Sequence, residues 1–303
     1  MSIPREVLPG QTYMITRRCT QRQFLMRPDQ QTNNAFIYCL AEAAARYRIQ
    51  VLFTVAMSNH HHTGIHDPHG NYPAFLEHFH KLFAKCQNSL RGRWENFWSS
   101  EQTSVVRLVD PNDVIEKMTY ALTNPVKDGL VEKAHHWPGV SSLPSIIHGK
   151  SLTASRPKHF FREQGVMPET VELSFVRPRE YDHLGAGEFS ALVIDRIRQV
   201  EESIAVERRR NGTTVIGRKG VLCQAWSDRP ASREPRRGLV PRIAARNKWS
   251  RIEALRRNRS FVDAYITARA RFIDGVRDVL FPAGTYWLRR FARALCLPLP
   301  SPS

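Results

Sequence analysis

Acidic residues are scarce in this chain of 303 residues: 28 Asp and Glu stand against 45 Lys and Arg, a formal net charge of +17. That imbalance disfavours a cationic partner and points to a polyanion, nucleic acid first and an anionic membrane surface second. Cysteine is sparse as well. The five residues, Cys19, Cys39, Cys86, Cys223 and Cys296, are odd in number, widely spaced and without a C-x-x-C pair. A disulfide framework and a cysteine zinc site are therefore not indicated, and a reducing compartment fits. No apolar run approaches the ~18 residues of a membrane span, and the opening MSIPR (Met1 to Arg5) lacks the apolar core of a signal peptide. A soluble, cytoplasmic, nucleoid-associated protein is the expectation. No G-x-x-x-x-G-K-[ST] loop occurs, so nothing points to nucleotide-driven chemistry.

What is present suffices for a core, with 42% of the residues hydrophobic. The charge is unevenly spread. Residues 1–150 carry 16 Lys and Arg against 12 Asp and Glu, whereas residues 151–303 carry 29 against 16. The turn-forming stretch SSLPSIIHGKSLTASRP (Ser141 to Pro157) reads as a linker between two domains, 1–150 and 151–303.

In the first half, Thr12 to Arg18 alternates like a strand, and Asn33 to Arg48 has helical spacing of apolar residues. The run VLFTVAM (Val51 to Met57) reads as a buried strand, and Ser58-Asn59 as a tight turn into a second strand, His60 to Ile65. Phe75 to Leu90 is helical in period, Ser104 to Val109 strand-like, and Asp110 begins a helix ending before Pro125. The order β-α-β-β-α-β-α implies an α+β fold, an antiparallel sheet with helices on one face, of ferredoxin-like type. In the second half, Phe189 to Arg210 and Arg251 to Leu280 have helical spacing, while Trp226 to Arg246, rich in Pro and Arg, reads as loop. That half is expected to be a basic, mostly helical appendage.

The most unusual feature is a run of three histidines, His60, His61 and His62. On a strand His60 and His62 share one face and His61 takes the other, so two imidazoles on one face can share a metal, with a third ligand still required. His78 and His80 lie in a helical segment, where i and i+2 do not face each other, and are set aside as a pair. His135 and His136 read as exposed loop residues, while His66 and His69, flanking Asp67, stay open as auxiliary ligands. Tyr120 and Asn124 are four residues apart on a helical segment and project from the same face, which places a phenol and an amide oxygen together.

The strings VLFTVAMSNHHHTGI, TYALTNPVKDGLV and WPGVSS (Trp137 to Ser142), in that order, resemble the REP-associated tyrosine transposases, members of the single-tyrosine HUH transposase superfamily. The resemblance covers about residues 8–143. It implies a metal-binding histidine pair at His60 and His62, a nucleophile at Tyr120 and a third ligand at Asn124. One departure stands out: the middle position, normally apolar, is His61, so the far side of the strand is expected to be less dry than in relatives.

The implied activity is metal-dependent cleavage and rejoining of single-stranded DNA through a 5'-phosphotyrosyl intermediate, with hairpin or repeat DNA as partner, in a transposase or domesticated transposase. Two nitrogens and an oxygen allow Mg, Mn or Zn, and the resemblance implies Mg or Mn. Members of that family act as dimers, so a homodimer is a further expectation of the resemblance. Phosphate contacts are expected from Arg17, Arg18, Arg208, Arg209, Arg210, Arg256 and Arg257, and base stacking from Trp226, Trp249, Tyr265, Tyr286 and Trp287. Two rival readings are a former transposase that only binds hairpin DNA, and a replication initiator or relaxase. The latter commonly pairs the sheet with a helicase, for which no motif is present.

Overall fold

The computed structural model describes residues 4–232 and 241–300. The first strand, β1 (Gln11–Arg18), leads to α1 (Gln30–Tyr47), whose N-cap Asp29 accepts the Thr32 amide at 2.7 Å. A hairpin follows, β2 (Gln50–Ala56) and β3 (His60–Asp67), joined by Met57, Ser58 and Asn59. Then come α2 (Tyr72–Arg91), β4 (Ser104–Leu108), α3 (Pro111–Leu122) and the single turn α4 (Asn124–Lys127). Pro111 at the first position of α3 and the Asp110 amide bonded to the Asp113 carboxylate fix where that helix begins.

Three of the pairings, β2 with β3, β3 with β1 and β1 with β4, are antiparallel, giving the strand order 2-3-1-4. This is the ferredoxin-like arrangement expected from the order of periodicities. Helices α1 and α2 cover one face, burying Phe36, Leu40, Phe75, Phe79 and Phe83 against Tyr13, Ile15 and Ile65 of the strands. The opposite face is not open, as a one-sided sandwich would leave it. There α3 packs Val114, Ile115 and Met118 onto Met14, Leu52, Phe53 and Val55. The reason was present in VLFTVA, where consecutive apolar residues, rather than alternating ones, mark a strand buried on both sides.

The stretch expected as a linker is ordered and close to the sheet. It holds α5 (Leu143–His148) and β5 (Leu152–Ser155), and the segment just before it lies along the free edge of β2. Trp137 Nε1 donates to the Ala56 carbonyl at 2.9 Å, the Ala56 amide to Val140 at 2.9 Å, and the Ser142 amide to Thr54 at 2.9 Å. This WPGVSS segment occupies backbone groups that an edge strand would otherwise expose.

Residues beyond 150 do not stand apart from the sheet either. β5 and β6 (Thr170–Leu173) form an antiparallel ribbon against α1, with Ala154 and Leu173 buried in the first core. α6 (Ala186–Asn211) buries Phe189, Val193 and Ile197 in the second core beside α3 and α5. α7 (Gly217–Cys223) adds Val221 to the same core. Within the segment expected as loop, residues 233–240 lie outside the described residues, and β7 (Ile243–Ala244) adds a parallel fifth strand beside β4. α8 (Lys248–Ile273) and α9 (Trp287–Phe291) follow, so the second half mixes helices with the short strands β5, β6 and β7 and is less helical than expected. The boundary near residue 150 is thus a change in charge, while both cores run across it. Among the described residues no helix is long and apolar enough to cross a membrane.

Candidate active site

The turn between β2 and β3 places His60 at the first position of β3, where its pairing with Arg18, and that of His62 with Thr16, are set by the β1 register. His60 and His62 project to the α3 side with ring centroids 4.8 Å apart. Asn124, at the start of α4, donates its Nδ2 to His60 Nε2 at 3.2 Å and to His62 Nε2 at 2.7 Å. With both Nε2 atoms accepting, the Nδ1–H groups donate outward, from His60 to Asn59 Oδ1 at 2.7 Å and from His62 to Thr16 Oγ1 at 2.7 Å. Asn59 and Thr16 therefore select the tautomer that aims both Nε2 lone pairs at a common point.

All three side chains are buried. Burial pushes the pKa of His60 well down, with further depression from His62 and Arg18. The same effect, reinforced by Arg18, Lys127 and Lys117, takes His62 to about 3. Both imidazoles are neutral at physiological pH, the state in which they act as ligands.

Tyr120, on the last turn of α3, stands with its ring edge-on to His62, centroids 5.6 Å apart, and is 43% exposed. Lys127 of α4 lies 4.4 Å from the Tyr120 ring centroid and Lys117, one turn back on α3, 5.8 Å. Burial lowers the Lys127 pKa, and the neighbouring Lys117 lowers it further. Two cations therefore flank the phenol, an arrangement that attracts negative charge to this spot.

The donor set of His60, His62 and Asn124 fits a divalent cation. Two neutral nitrogens already converge, and the Asn124 amide oxygen and nitrogen exchange places by rotation about one torsion. Among the described residues no group of three His, Cys, Asp or Glu side chains could hold a metal. His66 is not a fourth member: it lies six residues along β3 from His60, with its Nδ1 3.1 Å from Thr12 Oγ1. His69, on the loop after β3, and His135 and His136, in a short turn, also stand outside the site.

Neither a protein-family model nor a curated protein matches the chain. One solved structure is similar, that of a REP-associated tyrosine transposase bound to a REP hairpin, over 59% of this chain and 98% of that chain, at 16% identity and a TM-score of 0.42.

The site opens on a cleft of about 1530 Å³ whose walls include Arg18, Arg22, Lys117 and Tyr120. Its far wall is the strap Gln224 to Ser232, tied down by the Phe24 amide on Asp228 O at 2.8 Å and Arg27 Nη1 on Gln224 O at 3.1 Å. Of the seven arginines expected at DNA, Arg18 alone lines this cleft. Arg17 points to the other face, where it bonds Thr103 and lies 5.9 Å from the Trp98 ring. Arg208, Arg209 and Arg210 end α6, outside the cleft lining. Arg256 and Arg257 are exposed on α8, and Arg257 pairs with Glu6 at 3.2 Å. Thr16, Asn59, Arg22 and Lys127 were not anticipated. Strand alternation would have found Thr16, which shares a face with Met14 and Arg18, and helical spacing would have found Lys117, three residues before Tyr120.

His61 departs from expectation. The far side of β3 is dry: His61 is fully buried, packed edge-on against Phe36, Phe79 and Trp98, with Nδ1 on Thr63 Oγ1 and Nε2 3.0 Å from His80 Nε2. A hydrogen-bonded partner on α2, His80, satisfies the buried imidazole. His78, by contrast, turns to Glu42 at 2.6 Å, so the two α2 histidines do point apart.

Proposed function

We propose that this protein cuts and rejoins single-stranded DNA, presented as a hairpin or repeat, through a covalent bond to Tyr120, as a transposase or a domesticated transposase. The observation that carries this reading is the convergence of His60 and His62 Nε2 on Asn124 beside a solvent-accessible Tyr120, at the head of a large cationic cleft. His60, His62 and the Asn124 oxygen would hold Mg or Mn, and such a cation offsets charge building on a non-bridging phosphate oxygen.

The chain's own residues account for the remaining steps. Arg18 and Arg22 attract the strand, and Lys117 and Lys127 favour a phosphate next to the phenol. Tyr120 Oη forms a bond to phosphorus as the bond to the 3' oxygen breaks. The phenol proton departs to solvent and the leaving oxygen takes one up, so the products are a 5'-phosphotyrosyl strand and a 3' hydroxyl. Because one phosphodiester replaces another, attack by a second 3' hydroxyl reseals the strand with no external energy source. In the binder-only reading His61 or other changes have abolished cleavage; against the first of these, His61 is buried on the opposite face of β3 and hydrogen-bonded to His80.

The test is incubation of the full chain with hairpin-bearing single-stranded DNA and Mn or Mg, followed by a denaturing gel and mass spectrometry. A covalent adduct on the Tyr120 peptide, lost in Tyr120→Phe and in chelator, is the expected result. Cutting that persists in Tyr120→Phe would overturn the assignment of the nucleophile, and cutting that persists in chelator would overturn the role of the cation.

A further inference from the structure

On the other face of the sheet from His60 and His62, a second and smaller cavity of about 40 Å³ lies between the N-terminal segment, β1, β4, β7 and α8. Its lining brings together three guanidinium groups, Arg5, Arg107 and Arg242, and two phenols, Tyr13 and Tyr72, whose rings lie 4.5 Å apart. Tyr13 and Arg107 are cross-strand partners in the β1/β4 register, which is why they meet.

Among the described residues one carboxylate, Glu6, shares this lining with the three guanidiniums. Arg5 donates to the carbonyls of Val105 at 2.5 Å and Thr103 at 3.2 Å, and Arg242 Nη1 to that of Pro4 at 2.9 Å. Arg107 Nε is buried with no hydrogen-bond partner. The neighbouring carboxylates are engaged elsewhere. Glu6 accepts Arg257 Nε on both oxygens at 3.2 Å, and Asp67 accepts the backbone amides of Asn71 at 2.9 Å and Tyr72 at 2.8 Å. Burial lowers the pKa of Arg5, Arg107 and Arg242, and Arg242 depresses Arg5 further. Burial also raises the Tyr72 pKa to about 12 and that of Tyr13 well above its ordinary value, so both hydroxyls keep their protons and can donate.

Clustered, partly desolvated guanidiniums are costly unless an anion joins them, and a tetrahedral oxyanion offers oxygens to several forked donors at once. At ~10 to 15 Å³ per water, the cavity has room for about three water-sized groups, which suits phosphate or sulfate and excludes a nucleoside. We propose that the cavity lined by Arg5, Arg107, Arg242, Tyr13 and Tyr72 is a binding site for an oxyanion of the phosphate class. The phosphate is either the free ion or the terminal phosphate of a polynucleotide strand. This site is separate from the Tyr120 cleft and does not depend on the reading of that cleft.

The test is thermal unfolding of the full chain in chloride and in phosphate at matched ionic strength. The wild type is expected to gain stability saturably at millimolar phosphate, and Arg107→Gln to bind at least tenfold more weakly. In chloride alone Arg107→Gln should melt no lower than the wild type, since it removes one of three clustered positive charges, and phosphate should reverse the order. Equal stabilisation of both proteins by phosphate would overturn the proposal. Should Arg107→Gln fail to fold, broadening of the phosphorus NMR line of inorganic phosphate by the wild type, and less by Tyr13→Phe, serves instead; no broadening would overturn it. Displacement of inorganic phosphate by a 5'-phosphorylated oligonucleotide, but not by its 5'-hydroxyl counterpart, identifies a strand end as the occupant. Displacement by neither identifies the free ion.

Discussion

β3 sets three identical side chains in a row and gives them two unlike fates. His60 and His62 face a cationic cleft and share Asn124, whereas His61, one residue away on either side, is enclosed by aromatic rings and shares a hydrogen bond with His80. Burial keeps all three neutral. What separates them is what their free lone pairs meet: a polar group at a cleft in one case, a second buried imidazole in the other. Residue type is therefore a poor guide to role, and the face of the strand is a good one.

The strongest way to break this comparison is to truncate one residue on each face. His62→Ala is expected to lower adduct formation on single-stranded DNA by about 10³-fold or more, with a small change in melting temperature. His61→Ala should do the reverse, costing about 3 kcal/mol of stability by opening a cavity and leaving His80 without its partner. Chemical denaturation and adduct kinetics on the same two proteins separate the effects. If His61→Ala loses activity while keeping its stability, the division between the faces is wrong.

Gly64 sharpens the cleft side further. A Cβ there would lie 2.1 Å from the Phe53 ring, so Gly64→Ala forces β2 and β3 apart two residues beyond His62. A loss of about 2 kcal/mol or more is expected, measured by denaturation. A near-neutral result would mean that Phe53 repacks freely.

On the dry side the test is pH. Burial takes His80 from its ordinary value to about 3. An unfolded chain binds protons near pH 6.5 that folded His80 refuses, so its contribution is complete above that pH. It is lost as pH falls from about 6.5 towards about 3, at about 1.4 kcal/mol per pH unit for one histidine. His80→Phe should flatten this part of the stability profile, and an unchanged acid slope would show that the pair titrates normally.

The smallest effect is expected at Lys127, which touches the phenol by its charge alone. Lys127→Gln should slow adduct formation about tenfold and leave the fold intact. An unchanged rate would remove this cation from the reaction.

Much of this was legible in residue order. Apolar period switched from two to 3.6 and back between Thr12 and Leu122, and each switch corresponds to an element of the sheet or its helices. The meeting of Tyr120, Asn124, His60 and His62 was legible too, from strand alternation, helical spacing and the family resemblance together. The rest depended on contacts distant in sequence. β7 is two residues long and gains its meaning only beside Arg107 and Leu108. Four-residue β5 and β6 carry no periodicity of their own, and the partner of His61 is nineteen residues away on a helix. Most of the expected arginines missed the cleft because net charge records how many cations there are and not which way they point.

The segment from α3 to Ser142 has one more consequence. It leaves the sheet at Met118, carries Tyr120 and Asn124 across the histidines, and returns to β2 through Trp137 and Ser142. It is an arch with both feet on the same sheet, and the histidines stand beneath it. Such an arch holds its span without a keystone: tryptophan and backbone contacts at its feet set the separation between Tyr120 and the histidines. If the proposed cleavage takes place here, substitutions at the feet, at Trp137 above all, should slow adduct formation although they touch neither Tyr120 nor the histidines.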